Sequence, residues 1–505
     1  MEKTNWAVTL FVWLEVAFVA SVGLILLTIL VMYISDVTQN THTIRKNYPV
    51  IGRFRYYFEH LGSFFRQYFY AQDREELPFN RAERSWVYRA AKNIDSSVGF
   101  GSTLSLQTPG TLLFLNSPFP IEEDRSIPAS PVTLGPYCAN PYTTASIFNI
   151  SAMSYGALSV PAVRALGEGA KMAGCWLNTG EGGLSSYHLE SGADLVFQIG
   201  TAKYGVRDKQ GNLNDDRLRA IAAYPQVKMF EVKVSQGAKP GKGGILPAEK
   251  VTAEIAYIRG IHEGEASISP NGHKDIQSVQ DLLCLVNRVR DITEKPTGFK
   301  SVIGQREWLI ELMETIKSKG IEYAPDFISL DSADGGTGAS PQPLMDHVGL
   351  PIKETLPWLI ALLNEYGLRE RIKVIVSGKL INPSMVAWGL ATGADFVTSA
   401  RGFMFALGCI QALQCHQNTC PTGITTHNPK LQKGLDPTNK AVRVASYHRN
   451  MTASVAMIAH SCGVVEPRQL TVEHIRIMMP DGYTRPLSEI QPQIIRILDK
   501  DEPSN

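Results

Sequence analysis

A chain of 505 residues, 44% hydrophobic and 19% charged, is long enough for one large folded domain and an accessory region, and its composition excludes general disorder. Its 49 basic and 48 acidic side chains nearly cancel, so nothing in the charge points to nucleic acid or another polyanion. Seven cysteines are too few for a disulfide scaffold, and three of them, Cys409, Cys415 and Cys420, crowd together, a pattern of ligation in a reducing compartment.

The run from Val16 to Ser35 contains no charged residue and is dominated by Val, Leu, Ile, Phe and Ala. At about 1.5 Å per residue it spans roughly 30 Å, the thickness of a bilayer's hydrocarbon core. Extending it back to Trp6 adds one ionisable group, Glu15, and predicts a transmembrane helix over 6–35. Bulky Met32, Tyr33 and Ile34 stand where a signal-peptide cleavage site would need small residues. Lys3 precedes the run, whereas Arg45, Lys46, Arg53, Arg55 and Arg66 follow it. The positive-inside rule therefore expects a single-pass protein with everything downstream in the cytoplasm.

Residues 43–98 are rich in aromatic and basic side chains, which reads either as an interfacial segment or as an amphipathic helix packed on the protein body. Prolines punctuate the stretch Thr108 to Pro141, which reads as an extended connector. From Ile147 onward, short apolar runs end in Gly-rich loops and are followed by helical patterns, the signature of a parallel sheet. Strands are predicted at Ile147–Met153, Cys175–Asn178, Leu195–Ile199, Met229–Val234, Gly298–Ile303, Phe327–Leu330, Val374–Val376 and Phe396–Thr398. Eight such units predict an α/β chain with a TIM (β/α)8 barrel, with an open doubly wound sheet as the alternative. In such barrels the loops after the strands carry the chemistry.

Four loops qualify. Cys409-x5-Cys415-x4-Cys420-Pro421 offers three thiolates to a three-iron cluster or to a four-iron cluster with an open corner. Zinc, with His416 or His427 recruited, is the other metal reading, and three unrelated buried cysteines the bland one. The run Asp334-Gly335-Gly336-Thr337-Gly338, with Ser377-Gly378-Lys379 and Ala400-Arg401-Gly402 after the next two strands, together implies a phosphorylated cofactor or substrate approached by backbone amides, while each alone reads as a tight turn. The loops Asn178-Thr179-Gly180-Glu181-Gly182-Gly183 and Lys233 to Gly244, the latter with Gln236 and Lys239, place polar heads over a flat ligand or are ordinary solvated loops.

Residues 150–430 resemble the FMN-binding synthase domain of glutamate synthase. The match is carried by Met153-Ser154-Tyr155-Gly156, the Asn178–Gly183 and Gln236–Gly241 motifs, Ile268-Ser269-Pro270 with His273, the Gly335–Pro341 loop and the cysteine spacing. The resemblance implies FMN in the barrel, a [3Fe-4S] cluster on Cys409, Cys415 and Cys420, and reduction of the imine of 2-oxoglutarate and ammonia to L-glutamate, an oxidoreductase acting on CH-NH2 donors. It implies Ser154 and Thr179 near the flavin ring, and Lys233 and Gln236 at its polar edge. Gly335, Gly336, Thr337, Ser377, Gly378, Lys379, Arg401 and Gly402 would enclose the phosphate. Lys300 would meet the 2-oxo acid, and Glu181 its amino or imino side. The domains expected are the span 6–35, a helical and extended region 36–145, the barrel with its Fe–S loop 146–440 and a helical closing segment 441–505. No family glutaminase region with a catalytic cysteine is seen before Cys138, so ammonia or another amine is an expected partner, and no nicotinamide-binding domain is read in the sequence, so a separate electron-donor protein is expected as well. Around Lys300 the chain reads Phe-Lys-Ser-Val-Ile-Gly where the family has Lys-Leu-Val-Ser-Glu. The alternatives are therefore a synthase of N-substituted glutamate and a membrane-tethered electron-transfer module.

Overall fold

The computed structural model describes residues 3–125 and 127–490. It consists of two compact units that part between Ala82 and Glu83.

The first unit opens with a helix, Lys3–Thr38. Its segment Trp6–Thr38 is long and apolar enough to cross a membrane, and the most apolar 18 residues of it are unburied. The helix ends in a tight turn. Gln39 Oε1 accepts from the amides of Thr41 and His42, at 2.9 and 2.7 Å, while its Nε2 donates to the Asp36 carbonyl at 3.0 Å. The short helix Thr43–Asn47 and the longer Gly52–Phe65 follow, the latter continuing as the π-helical turn Arg66–Tyr70.

The second unit is built on eight parallel strands: β1 Phe148–Ile150, β2 Leu177–Asn178, β3 Leu195–Ile199, β4 Val227–Lys233, β5 Thr297–Val302, β6 Phe327–Asp331, β7 Lys373–Ser377 and β8 Phe396–Ser399. All eight predicted strands are present. β8 pairs with β1 through Val397 and Phe148, which closes the barrel and removes the open-sheet alternative. Helices follow the strands where the sequence provides caps. Ser159 caps Val160–Ala173 with Pro161 in the first turn and Gly174 at the end, and Asn382 caps Pro383–Ala391.

The floor of the barrel comes from the stretch read as a connector. Val132–Leu134 and Tyr142–Thr144 pair antiparallel, and Leu134 and Tyr142 pack with Trp176, Val196, Met229, Phe327, Ile375 and Phe396 in one buried apolar cluster. A short antiparallel ribbon at the N-terminal end of the strands thus keeps water out of the barrel from below. The segment 441–505 differs from its helical reading. Helix Pro437–Ser461 is capped by Asp436 and packs on Val160–Ala173, but strands Ile475–Met478 and Thr484–Pro486 follow, and Ile475–Met478 pairs with both Thr484–Pro486 and Leu112–Phe114 as the centre of a three-stranded sheet. These strands are three or four residues long, too short for a period-2 pattern to stand out, and the partner of Ile475–Met478 in Leu112–Phe114 lies more than 360 positions earlier. Residues 491–505 of that segment lie outside the described residues.

Candidate functional site

Above the floor, alternation along the strands turns a ring of polar side chains inward. Glu231 and Lys233 project two residues apart from β4, and Lys300 of β5 stands in register with Lys233. Glu231 is buried, and a buried carboxylate must be paired or hydrogen-bonded. Its Oε1 accepts from Asn178 Nδ2 at 2.9 Å and Gln198 Nε2 at 2.6 Å, and its Oε2 from the Ser329 hydroxyl. Asn178, Glu231, Lys300, Ser329, Ser377 and Thr398 line the polar part of a small cavity inside the barrel.

Lys300 is buried and its Nζ lies 3.4 Å from Asp331 Oδ2. Burial alone would lower its pKa, but Asp331 and Glu231 outweigh that and hold the ammonium above its ordinary range. Asp331 is a junction. Besides Lys300 it accepts the Gly237 amide at 3.0 Å and the Ser377 hydroxyl at 2.6 Å, so one carboxylate ties the lysine to the loop after β4 and to the end of β7. Burial opposes its charge, and Lys300 with these hydrogen bonds keeps its pKa below the usual carboxylate range.

At the mouth, Glu181 Oε1 receives Lys233 Nζ at 2.8 Å. Burial would raise the pKa of Glu181, yet Lys233 and Lys239 hold it below its ordinary value. Lys239 is itself buried, and desolvation, reinforced by Lys233, pushes it down to about 8. Two lysines and one carboxylate therefore face each other in a partly dry site. Thr179 is fully buried, its hydroxyl accepting from the Gln198 amide at 3.2 Å. Ser154 packs directly on the next loop, since a Cβ at Gly180 would stand 2.6 Å from the Ser154 nitrogen. Gln236 is half-buried at the start of its loop. His273 binds the Lys233 carbonyl through Nε2 at 3.0 Å and so fixes the strand end that carries Lys233.

The three loops expected to cradle a phosphate converge. Arg401 donates from Nη2 to the Asp334 carbonyl at 3.0 Å, and Lys379 Nζ stands 3.4 Å from Asp334 Oδ2. A Cβ at Gly336 would lie 2.7 Å from Arg401 Nε. Gly378 has φ +136° and its Cβ would overlap Ser332, so only glycine fits there. Half-buried Thr337, Gly335 and Gly402 complete the cradle, with the Gly402 amide donating to Ser399 Oγ at 3.3 Å. Two cations and a backbone bared of side chains suit a phosphate monoester.

The cysteine loop follows β8. Burial pushes the Cys409 thiol up to about 12 and also raises Cys415, whereas for Cys420 hydrogen bonding from Thr422 outweighs burial and lowers the pKa. Buried Lys250 donates to the Cys415 carbonyl at 2.6 Å and Tyr88 to the Cys409 carbonyl at 2.6 Å, which fix the loop at two points. Three thiols are a suitable donor set for an iron–sulfur cluster. Among the described residues, however, no group of three or more His, Cys, Asp or Glu side chains is gathered tightly enough to hold a metal ion.

Sequence reasoning named the mouth and the cradle but missed Glu231, Asp331 and Gln198. The available signal was a charged residue two positions from another on a strand otherwise apolar, as in Phe230-Glu231-Val232-Lys233, which marks a polar barrel interior.

A conserved region in glutamate synthase matches residues 123–465. The chain is 39% identical over 490 residues to the glutamate synthase large subunit-like protein YerD of Bacillus subtilis, covering 89% of this chain and 93% of that one. It is 36% identical over 318 residues to the NADPH archaeal glutamate synthase of Methanocaldococcus jannaschii, covering 62% of this chain and 58% of that protein. The chain thus spans under three fifths of the length of that relative. Among solved structures, a mutant flavocytochrome b2 with pyruvate bound aligns with a TM-score of 0.45 at 17% identity, covering 83% of this chain and 85% of that one. The matched region takes in the whole barrel, its polar mouth and the cysteine loop, and the likeness to the Bacillus protein runs along nearly all of both chains: this chain belongs to the glutamate synthase family.

Proposed function

We propose that the protein is a flavin- and iron–sulfur-dependent oxidoreductase of glutamate synthase type, which aminates 2-oxoglutarate reductively to L-glutamate with electrons from a partner protein. The observation that carries this reading is the pairing of a phosphate cradle on β6–β8 with the Glu181–Lys233 ion pair, 2.8 Å apart, and buried Lys239 and Lys300 at the same barrel mouth. FMN suits the cradle: Gly335, Gly336 and Gly378 with Lys379 and Arg401 would enclose its phosphate, and Lys233 and Gln236 would meet its polar edge. When bound, it supplies the two-electron chemistry that no side chain here offers.

The chain's own residues do the rest. Lys300 is held protonated by Asp331 and Glu231 and attracts a carboxylate of the oxo acid. Lys239 offers a second cation. Glu181, kept ionised by its lysines, accepts a hydrogen bond from the nitrogen of the imine and steadies its proton. The overall balance is 2-oxoglutarate, ammonia, two electrons and two protons giving glutamate and water. The imine hydrolyses in water, and the closed apolar floor and packed barrel limit that loss. Cys409, Cys415 and Cys420 would take a [3Fe-4S] cluster once drawn together, and the positive φ of Gln411, Leu413 and Asn418 marks a loop whose backbone already departs from regular structure. The helix Lys3–Thr38 would place the chain as a single-pass membrane protein with its barrel in the cytoplasm, supported by the basic residues that follow the span.

The test is an anaerobic one. Detergent-purified protein is reduced chemically and mixed with 2-oxoglutarate and ammonium while flavin absorbance and glutamate are followed. Oxo-acid-dependent reoxidation with glutamate formed is the expected result. Reoxidation with methylammonium alone as the amine would move the substrate to an N-substituted glutamate, and turnover indifferent to the oxo acid would overturn the synthase reading.

A further inference from the structure

The aromatic segment after the N-terminal helix is the largest feature that the proposed reaction leaves unused. Along helix Gly52–Phe65, Phe54, Phe58, Leu61 and Phe65 fall within a sector of about 60° at roughly 100° per residue. Phe54 and Phe58 are 57% and 61% exposed, Phe65 41%, and Phe69 in the following turn 75%. Their rings touch along the stripe, Phe54 on Phe58 at 6.3 Å and Phe65 on Phe69 at 5.5 Å between centroids. A continuous stripe of exposed rings of this length is costly in water and marks a contact surface. Exposed Arg55 and Arg66 flank it, about 100–120° around the helix from Phe54.

What covers the stripe is indicated by how the helix is tied to the span. Asp36, in the last turn of Lys3–Thr38, is completely buried and accepts from Arg53 Nε at 2.8 Å, Arg45 Nε at 3.0 Å and the Val50 amide at 3.0 Å. Arg53 is the second residue of the aromatic helix, so this clasp starts that helix beside the point where the span ends. If the span crosses a bilayer, the rings begin at headgroup depth, where aromatic side chains partition and where cations meet anionic lipid.

We propose that Gly52–Tyr70 is a second membrane element, lying in the interface of the bilayer that the N-terminal helix crosses, with an anionic lipid surface as its partner. The proposal rests on the reading of Lys3–Thr38 as a span. It is tested on the full chain in nanodiscs of phosphatidylcholine with and without phosphatidylglycerol, carrying photoreactive p-benzoylphenylalanine in place of Phe58, of Leu24 within the span, or of Tyr257, which is 88% exposed in the second unit. Irradiation is expected to attach lipid at positions 24 and 58 and not at 257, with the yield at 58 rising several-fold when phosphatidylglycerol is present. Lipid at 24 with only protein adducts, or none, at 58 would overturn this proposal and leave the anchor standing. No lipid at 24 would sink both, and an equal yield at 58 in phosphatidylcholine alone would remove the anionic partner.

Discussion

Asp331 holds more of the site together than any residue the motifs announce, because Lys300, Gly237 and Ser377 all converge on one buried carboxylate. Removing one partner of a buried ion pair strands the other charge, so Asp331→Ala is expected to destabilise the barrel unit by about 3–5 kcal/mol, read as a lower denaturant midpoint. An unchanged midpoint would show Lys300 to be adequately solvated without it. Lys239 gives a pH prediction. Its folded pKa is depressed to about 8, so it is charged below that pH and neutral above. The KM for a dianionic oxo acid is expected to rise as pH passes through about 8, and Lys239→Met should abolish that dependence. The sign for stability is the opposite: the unfolded lysine binds its proton up to its ordinary, higher pKa, so this group adds stability as pH rises from about 8 toward that value.

At the scale of elements, the cradle depends on backbones coming closer than side chains allow. Gly378 has both a positive φ and no room for a Cβ. Gly378→Ala is therefore expected to cost about 1–3 kcal/mol of local strain, roughly a tenfold loss of FMN affinity, measured as flavin retained per protein with the far-ultraviolet circular dichroism unchanged. Full flavin content in that variant would place the phosphate elsewhere. The cysteine loop makes a separate prediction. Cys415→Ser, with Lys250 still anchoring the loop through its backbone carbonyl, should abolish the electron paramagnetic resonance signal of an oxidised three-iron cluster and the bound iron and sulfide. Protein as purified that contains no iron or sulfide under anaerobic conditions would remove the cluster from the proposal.

For the whole molecule, the helix Lys3–Thr38, long and apolar enough to cross a membrane, carries the membrane proposal. Protein expressed from the full sequence is expected to stay in the membrane pellet through an alkaline carbonate wash and to leave it in detergent. Release by carbonate would reduce the helix to a peripheral or cleaved segment. A membrane location would also place the barrel near a membrane-associated electron donor. Chemically reduced protein should form glutamate from 2-oxoglutarate and ammonium without any donor.

The eight strands, the glycine loops and the apolar helix were legible because each is written locally: a run of apolar residues, a turn that only glycine fits, a stretch with no charge. Glu181 and Lys233 could be named from their motifs, but 52 residues separate them, and only barrel closure brings them to 2.8 Å. The same holds for Asp331 with Lys300 and for Glu231 with its three donors, whose meaning comes from facing the same lumen. The Val132–Thr144 ribbon that floors the barrel and the sheet joining Leu112–Phe114 to Ile475–Met478 were hidden for a related reason. Short strands carry too little periodicity to declare themselves, and a strand's partner is chosen by long-range packing that no window of sequence contains. The sequence by itself determined the eight barrel strands and the apolar helix, and named candidate loops. The tertiary structure decided which charges meet, because their pairing depends on side chains from distant strands being desolvated together inside one closed barrel.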